Sequence, residues 1–395
     1  MSMRVIVSRT FSRVLTSPMR RSFMRRVKSL PRTLGRRAAI VDYFHDDADP
    51  YSELLASVLP RLQNRYRIEL RCHRVWPPDA AAAPDAPRLS AWSARDAKRL
   101  ATHHELRPDP AITAGLPWAT LDPQRGTALR ARLGHYLGAT IHFEGEWYWG
   151  IDRLHHLERR LRAAGLARDD GSPFIAPSPP FRWAVQRGTS STIATIATSA
   201  TTPDLHFFCS LRSPYTWLAV DRARRLSAHY GASLKLRFVL PMVMRGLPVG
   251  FAKRKYILLD ATREAELLDL PFGDVVDPVG EPVERGLAVL HHAIAAGLGV
   301  QYLESFLRGV FAEGIDAGDP LQFVQLGTRA GLTPKAIDAA LRDDGWRTVA
   351  ERNREEMLAY GLWGVPSFRV DGCDAVWGQD RLWMIEEDLY SVGSR

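Results

Sequence analysis

The residues with chemistry to offer are three cysteines, a histidine pair and one hydroxyl-bearing turn. Cys72, Cys209 and Cys373 lie far apart and form no Cys-x-x-Cys pair. Neither a disulfide framework nor a zinc set is indicated. Cys209 falls in an apolar strand-like run and reads as core, and Cys373 falls at a hairpin tip. His291-His292 has no carboxylate or cysteine at ligand spacing, so no metal is expected. The turn is Ser213-Pro214-Tyr215-Thr216, which follows the run Leu205 to Cys209. Pro214 suits a first helical turn, where its missing N–H has no partner to lose. Ser213 then stands as the capping residue, its oxygen available to a free backbone N–H.

The elements that position this turn occur twice. Asp42-Tyr-Phe-His-Asp-Asp-Ala-Asp-Pro-Tyr-Ser52 matches His206-Phe-Phe-Cys-Ser-Leu-Arg-Ser-Pro-Tyr-Thr216 at an offset of 164. The offset persists at Tyr66/Tyr230, Leu70/Leu234, Val75/Val239, Pro77/Pro241, Asp96/Asp260 and Arg99/Arg263. A later echo, Trp149 to Leu154 against Trp377 to Leu382, has an offset of 228. A repeat of this length sets the domain plan. It predicts a basic arm over 1–37, a first copy over 38–166, a linker over 167–203 and a second copy over 204–395. The linker reads as irregular from its Pro-rich start and its Ser/Thr/Ala run, with Phe181 and Trp183 able to dock it. In the second copy a strand, a helix to about Tyr230 and a strand over Leu234 to Val239 make a parallel pair with a right-handed crossover. A long helical region from Lys253 to Gly361 follows. Two short strands around Asp371-Gly372 and a closing helix from Gln379 complete the unit.

Length allows two domains. Hydrophobic content of 46% with 25% charge fits a globular protein, and no apolar run approaches the 18 or so residues of a membrane span. The net charge of +9 is local: residues 1–41 hold eleven bases and no acid, so the remainder carries a small acidic excess. That argues against a nucleic-acid-binding body. The arm could be an organelle-type presequence, an amphipathic helix on anionic lipid, or a frayed extension before Met19 or Met24. A reducing, cytoplasmic setting is the default.

Four passages carry a resemblance: Phe208 to Ala219; Met244-Arg-Gly-Leu-Pro248 leading to Lys253, Tyr256, Asp260 and Arg263; Gly364-Val-Pro-Ser-Phe368; and Trp377-Gly-Gln-Asp-Arg-Leu382. Together they resemble the DsbA-like branch of the thioredoxin superfamily, and within it 2-hydroxychromene-2-carboxylate isomerases and kappa-class glutathione transferases. The resemblance implies an α/β fold of two tandem thioredoxin-like domains, each with a helical insertion. It implies that Ser213 hydrogen-bonds the sulfur of bound glutathione, with the helix N-terminus favouring the thiolate. It further implies a cis Val365–Pro366 bond whose preceding backbone pairs with the cysteinyl part of glutathione. By the same likeness Asp380 holds the γ-glutamyl ammonium, Lys253 the glycyl carboxylate, and Gln379 a further polar contact. Each has a plainer reading: Ser213 as helix cap, Asp380 as cap or partner of Arg381, Lys253 as a solvated charge. Two family features are missing: Ser210 stands where an acidic residue is usual, and the asparagine near Gly246 has no counterpart.

The first copy changes the chemistry. Asp49 replaces Ser213, and the Gly-Val-Pro passage is replaced by Gly138-Ala139-Thr140 without proline. It reads as a degenerate domain, with an independent His45–Asp49 site as the alternative. The resemblance implies a glutathione-dependent isomerase of an unsaturated aromatic, chromene-carboxylate-like substrate. A transferase or peroxidase on the same site, or a non-catalytic binding protein, is the alternative. The expected partners are glutathione, a small aromatic molecule, a membrane surface at the arm and a second copy of the chain. Nucleic acid is not among them.

Overall fold

The computed structural model describes residues 3–35, 37–80, 82–169, 171–179, 181, 202–247 and 249–393. These form two units: Pro18–Pro179 with Val249–Tyr256, and Met1–Ser17 with Pro180–Pro248 and Ile257–Arg395. No described helix is long and apolar enough to cross a membrane.

The first unit is built on five strands: β1 (Ile40–His45), β2 (Glu69–Arg74), β3 (Trp118–Thr120), β4 (Thr140–Phe143) and β5 (Glu146–Trp149). Their order is β3-β2-β1-β4-β5. β2 runs parallel to β1 and β3, while β4 runs antiparallel to β1 and to β5. The second unit has β6 (Asp204–Cys209), β7 (Ser233–Phe238), β8 (Ser367–Val370) and β9 (Val376–Trp377) in the order β7-β6-β8-β9. β6 and β7 are parallel, and β8 is antiparallel to both β6 and β9. Strand for strand, β2-β1-β4-β5 and β7-β6-β8-β9 therefore pair in the same order and sense.

Apolar positions fix these sheets. Val41, Tyr43 and Phe44 are buried from β1, and Leu205, Phe207 and Phe208 from β6. Phe207 stacks on Phe368 of the neighbouring strand with centroids 4.7 Å apart, a cross-strand aromatic pair of the kind that holds a register. Helix starts are written into the sequence. Asp49, Asp109, Asp122, Ser213, Asp319 and Thr333 each precede a proline and accept a first-turn N–H through the side chain. The crossover helix is continuous in the second unit, Pro214–His229. In the first it is broken into Pro50–Ala56 and Leu59–Arg65. Pro60 explains the break: it has no N–H for the carbonyl of Ala56, and Arg224 stands at its place in the other copy.

The region from Lys253 to Gly361 holds six helices among the described residues: Phe251–Leu267, Glu281–Ala295, Gly299–Ala312, Pro320–Arg329, Pro334–Ala340 and Gly345–Ala359. Where an arm was expected there are two helices. Met3–Thr16 packs in the second unit, with Arg9 donating twice to Asp274 at 2.7 Å and Ser12 bonded to Val275. Pro18–Gly35 packs in the first. The start of the expected linker is also tied down. Arg168 N–H donates to the Arg65 carbonyl at 2.9 Å, and Ile175 N–H to Glu158 at 2.8 Å. The Ser/Thr run as far as residue 201 and Trp183 lie outside the described residues.

Candidate functional site

β6 ends at Cys209, and the chain turns through Ser210 to reach the helix at Pro214. The Ser213 N–H donates to the Ser210 carbonyl at 3.2 Å. The Ser213 oxygen accepts from the Thr216 N–H at 3.3 Å, and the Thr216 hydroxyl accepts from the Ser210 N–H at 3.4 Å. These reciprocal bonds close the turn and leave Ser213 half-buried at the helix N-terminus, with no acid in the first helical turn.

The antiparallel register of β8 on β6, with Ser367 opposite Phe208, brings the chain before β8 to the same end of the sheet. The Ser213 hydroxyl donates to the Val365 carbonyl at 3.5 Å, the outer limit of a hydrogen bond. The Val365–Pro366 bond is cis. Behind it, Gly378 N–H donates to the Pro366 carbonyl at 2.9 Å. Gly364 lies flat against the Trp377 indole, where a Cβ would come within 2.4 Å of the ring. Ser213, Val365 and Pro366 therefore meet.

Gln379 and Asp380 follow directly. Gln379 is buried, accepts a short bond from Arg222 and donates to Glu264 at 2.7 Å. Both ends of its amide are engaged inside the protein, so it supports the wall rather than facing a ligand. Asp380 is partly exposed and pairs with Arg381 at 3.4 Å. Lys253 packs within the first unit, where its ammonium donates to the Ala82 carbonyl at 2.9 Å and burial lowers its pKa.

Sequence reading gave no role to Tyr215, whose hydroxyl donates to Asp260 at 2.9 Å, with Arg263 on the same carboxylate at 3.0 Å. The repeat held the signal. Tyr51 makes the same bond to Asp96 at 2.7 Å. Likewise Tyr66 to Glu158 at 3.0 Å is matched by Tyr230 to Glu386 at 3.1 Å. Burial keeps Cys209 a thiol by pushing its pKa up, and pushes the Cys72 thiol up to about 12. Asp204, His206 and Asp371 converge on the far end of β6. Lys235, Arg237 and Arg369 already engage them, which leaves little there for a cation.

The corresponding turn of the first unit is shut. Asp49 caps its helix through the Tyr51 N–H at 3.1 Å. Burial, reinforced by Asp46, pushes its carboxyl up to about 7. The fully buried Ser52 accepts from the Asp46 and Ala139 N–H groups at 3.1 and 2.9 Å and donates to Asp49 at 3.3 Å. A Cβ on Gly138 would come within 2.5 Å of the Asp46 Cβ. The strand register sets Ala139, rather than Thr140, in the place of Pro366: Phe44 faces Thr140 as Phe208 faces Ser367. His45 engages Tyr43 and Asp47 through its two ring nitrogens, rather than Asp49.

Residues 204–390 match the model of the DSBA-like thioredoxin domain. The chain is 22% identical over 189 residues to the 2-hydroxychromene-2-carboxylate isomerase of Pseudomonas sp. (strain C18), covering 46% of this chain and 87% of that protein. Among solved structures, a 2-hydroxychromene-2-carboxylate isomerase is 21% identical with a TM-score of 0.40, covering 48% of this chain and 95% of that one. The cytosolic disulfide reductase DsbM of Pseudomonas aeruginosa is 22% identical with a TM-score of 0.37, covering 48% and 99%.

Proposed function

From the premise that the C-terminal half carries a DsbA-like thioredoxin domain, we propose that this half binds glutathione and catalyses a glutathione-dependent isomerisation of an unsaturated aromatic acid. The observation that carries the reading is the meeting of Ser213, at a helix N-terminus, with the Val365 carbonyl and Pro366. The relative named as a 2-hydroxychromene-2-carboxylate isomerase supports the substrate class.

The residues fit the tripeptide. Ser213 holds Val365 only at 3.5 Å, so its hydroxyl can turn to a sulfur at little cost. The helix dipole favours negative charge there, and no cysteine competes. Val365 offers its backbone to an extended peptide, strand-fashion, and Asp380 offers a carboxylate to an ammonium. Gln379 holds the wall. When bound, glutathione would supply a thiolate that adds to a conjugated substrate and is later eliminated unchanged. The chain's own work is to hold that sulfur as thiolate and to orient the two reactants. The first unit is a second thioredoxin-type copy whose ligand position has closed, a reading its shared strand order and hydrogen bonds support.

Calorimetric titration with glutathione tests this. Wild type is expected to bind. A hydrogen bond to a charged group contributes about 1.5–3 kcal/mol, so Ser213→Ala should raise the pKa of bound glutathione by about 1–2 units, read from thiolate absorbance. Absence of binding by the wild type refutes the proposal. Consumption of glutathione during turnover would replace isomerase by transferase.

A further inference from the structure

The helix Pro18–Gly35 lies on the first unit with its charged side inward. Arg25 donates to both carboxylate oxygens of Glu146, at 2.7 and 3.0 Å, and Arg32 donates to Glu144 at 2.8 Å. The Lys28 chain lies over Gly145 between them, 3.6 Å from where a Cβ would stand. Glu144 and Glu146 flank the tight turn from β4 to β5. From the unit's own body Arg160 reaches both, at 3.1 and 3.6 Å. The acidic turn thus anchors the helix by its basic side, and no described side chain of the helix is buried.

The consequence is an amphipathic helix turned inside out. At about 100° per residue, Met19, Phe23, Val27, Leu30 and Leu34 fall within about 80° of one another, opposite Arg25 and Arg32. All five are exposed: Met19 by 83%, Phe23 by 63% and Leu34 by 80%. On the same wheel Arg20 and Arg26 stand about 60° to either side of the stripe's centre. An apolar stripe bordered by arginines is the pattern of a helix lying in a membrane interface.

We propose that this face docks the protein on an anionic membrane surface, with the helix flat, the stripe in the acyl boundary and Arg20 and Arg26 among the headgroups. Two arguments favour lipid over a second copy of the chain. The stripe is about 23 Å long and about 10 Å wide, roughly 230 Å², against the roughly 800 Å² per partner of a standard interface. And residues 1–41 contain no acid, so two such helices would repel, whereas anionic headgroups complement both borders. The inner arginines spend their charge on Glu144 and Glu146, and the bordering pair, Arg20 and Arg26, is exposed.

The test is co-sedimentation of the full chain with vesicles of phosphatidylcholine alone and of phosphatidylcholine with phosphatidylglycerol, at low and high salt. Wild type should bind the anionic vesicles at least tenfold more tightly than the neutral ones, and the preference should shrink with salt. Phe23→Asp with Leu30→Asp should abolish binding while circular dichroism and melting stay as in wild type, since both side chains are exposed. Arg20→Gln with Arg26→Gln should lose most of the salt-sensitive part. Wild type that fails to sediment with anionic vesicles, or binds neutral ones equally, overturns the proposal. So does a wild-type dimer in light scattering that the double aspartate variant loses without any vesicle binding.

Discussion

Ser52 is where the closed turn of the first unit is most exposed to test. Its hydroxyl is fully buried, takes N–H groups from Asp46 and Ala139, and gives its own hydrogen to Asp49. Ser52→Ala leaves two buried N–H groups without acceptors. At about 1–3 kcal/mol for each orphaned group, the cost is about 2–6 kcal/mol. Thr216 is the matching residue of the second unit, and there the count differs. It accepts from Ser210 alone of these two positions, at 3.4 Å, because Pro366 stands where Ala139 does and has no N–H to place. Thr216→Val keeps the branched shape and orphans one weakly held group, for about 1 kcal/mol. The assay is urea unfolding followed by tryptophan fluorescence and far-UV circular dichroism. Two units need not unfold together, so each variant is read as the loss of free energy in the transition it shifts. Ser52→Ala should cost at least twice as much as Thr216→Val. Equal costs would refute the idea that serine and proline divide this task between the two units.

Three further outcomes follow from the same frame. Asp49 holds its proton to about pH 7, and burial raises Asp46 as well, whereas in the unfolded chain both ionise near pH 4. The native state binds the extra protons, so their contribution to stability falls as pH rises between about 4 and about 7. From pH 5 to pH 8 the Asp49 share is at most about 3 kcal/mol, and Asp49→Ser should flatten it in urea titrations at the two pH values. Asp42, half-buried yet lowered to about 2 by His142 and His73, acts in the opposite sense but only below that window. Tyr51→Phe and Tyr215→Phe each withdraw a hydroxyl from a buried carboxylate. Each should cost about 1–3 kcal/mol, read from the shift of the unfolding transition in urea. Gly138→Ala must push the loop off Asp46 and should cost about 1–3 kcal/mol, seen as a lowered melting temperature of the first unit.

Much of the frame was legible because the matching positions at a fixed offset supply their own comparison. Positions kept at the offset of 164 include the tyrosine–carboxylate partners Tyr51/Tyr215 and Asp96/Asp260, and the strand ends where Val75 and Val239 bond back to His45 and Cys209. The offset of 228 carries Glu158 to Glu386, and so finds the second tyrosine pair. Legibility failed where local matching outran geometry. Aligning Gly138 with Gly364 sets Thr140 opposite Pro366. The hairpin from Ser367 to its partner Trp377 is one residue longer than that from Thr140 to its partner Trp149, and the true register puts Ala139 there. Lys253 does share a helix with Tyr256 and Asp260, as the spacing says. Which group its ammonium meets is decided by a carbonyl 171 residues earlier, and no helical periodicity records that. The basic arm hid its plan for the same reason. Its arginines are arranged by two glutamates at a distant turn.

The two turns share much of their hydrogen-bonded scaffold, and three of the positions that separate them act in one direction. Asp49 puts an ionisable acid where Ser213 puts a neutral donor, and an acid there repels a second anion. Gly138 lets the loop close onto Asp46, whereas Val365 carries a side chain at the matching place, and its carbonyl sits at the limit of hydrogen-bond reach from Ser213. Ala139 brings an N–H that must be satisfied once buried, and Ser52 is spent on it. Pro366 brings none, so Thr216 need only hold the turn. A site that is to receive an extended peptide needs free backbone at its rim and a donor without charge at its floor. On the reading proposed above, the second unit would meet both conditions through Ser213, Val365 and Pro366. The other satisfies its own backbone internally, and is stabilised by the same groups that a ligand would have to displace.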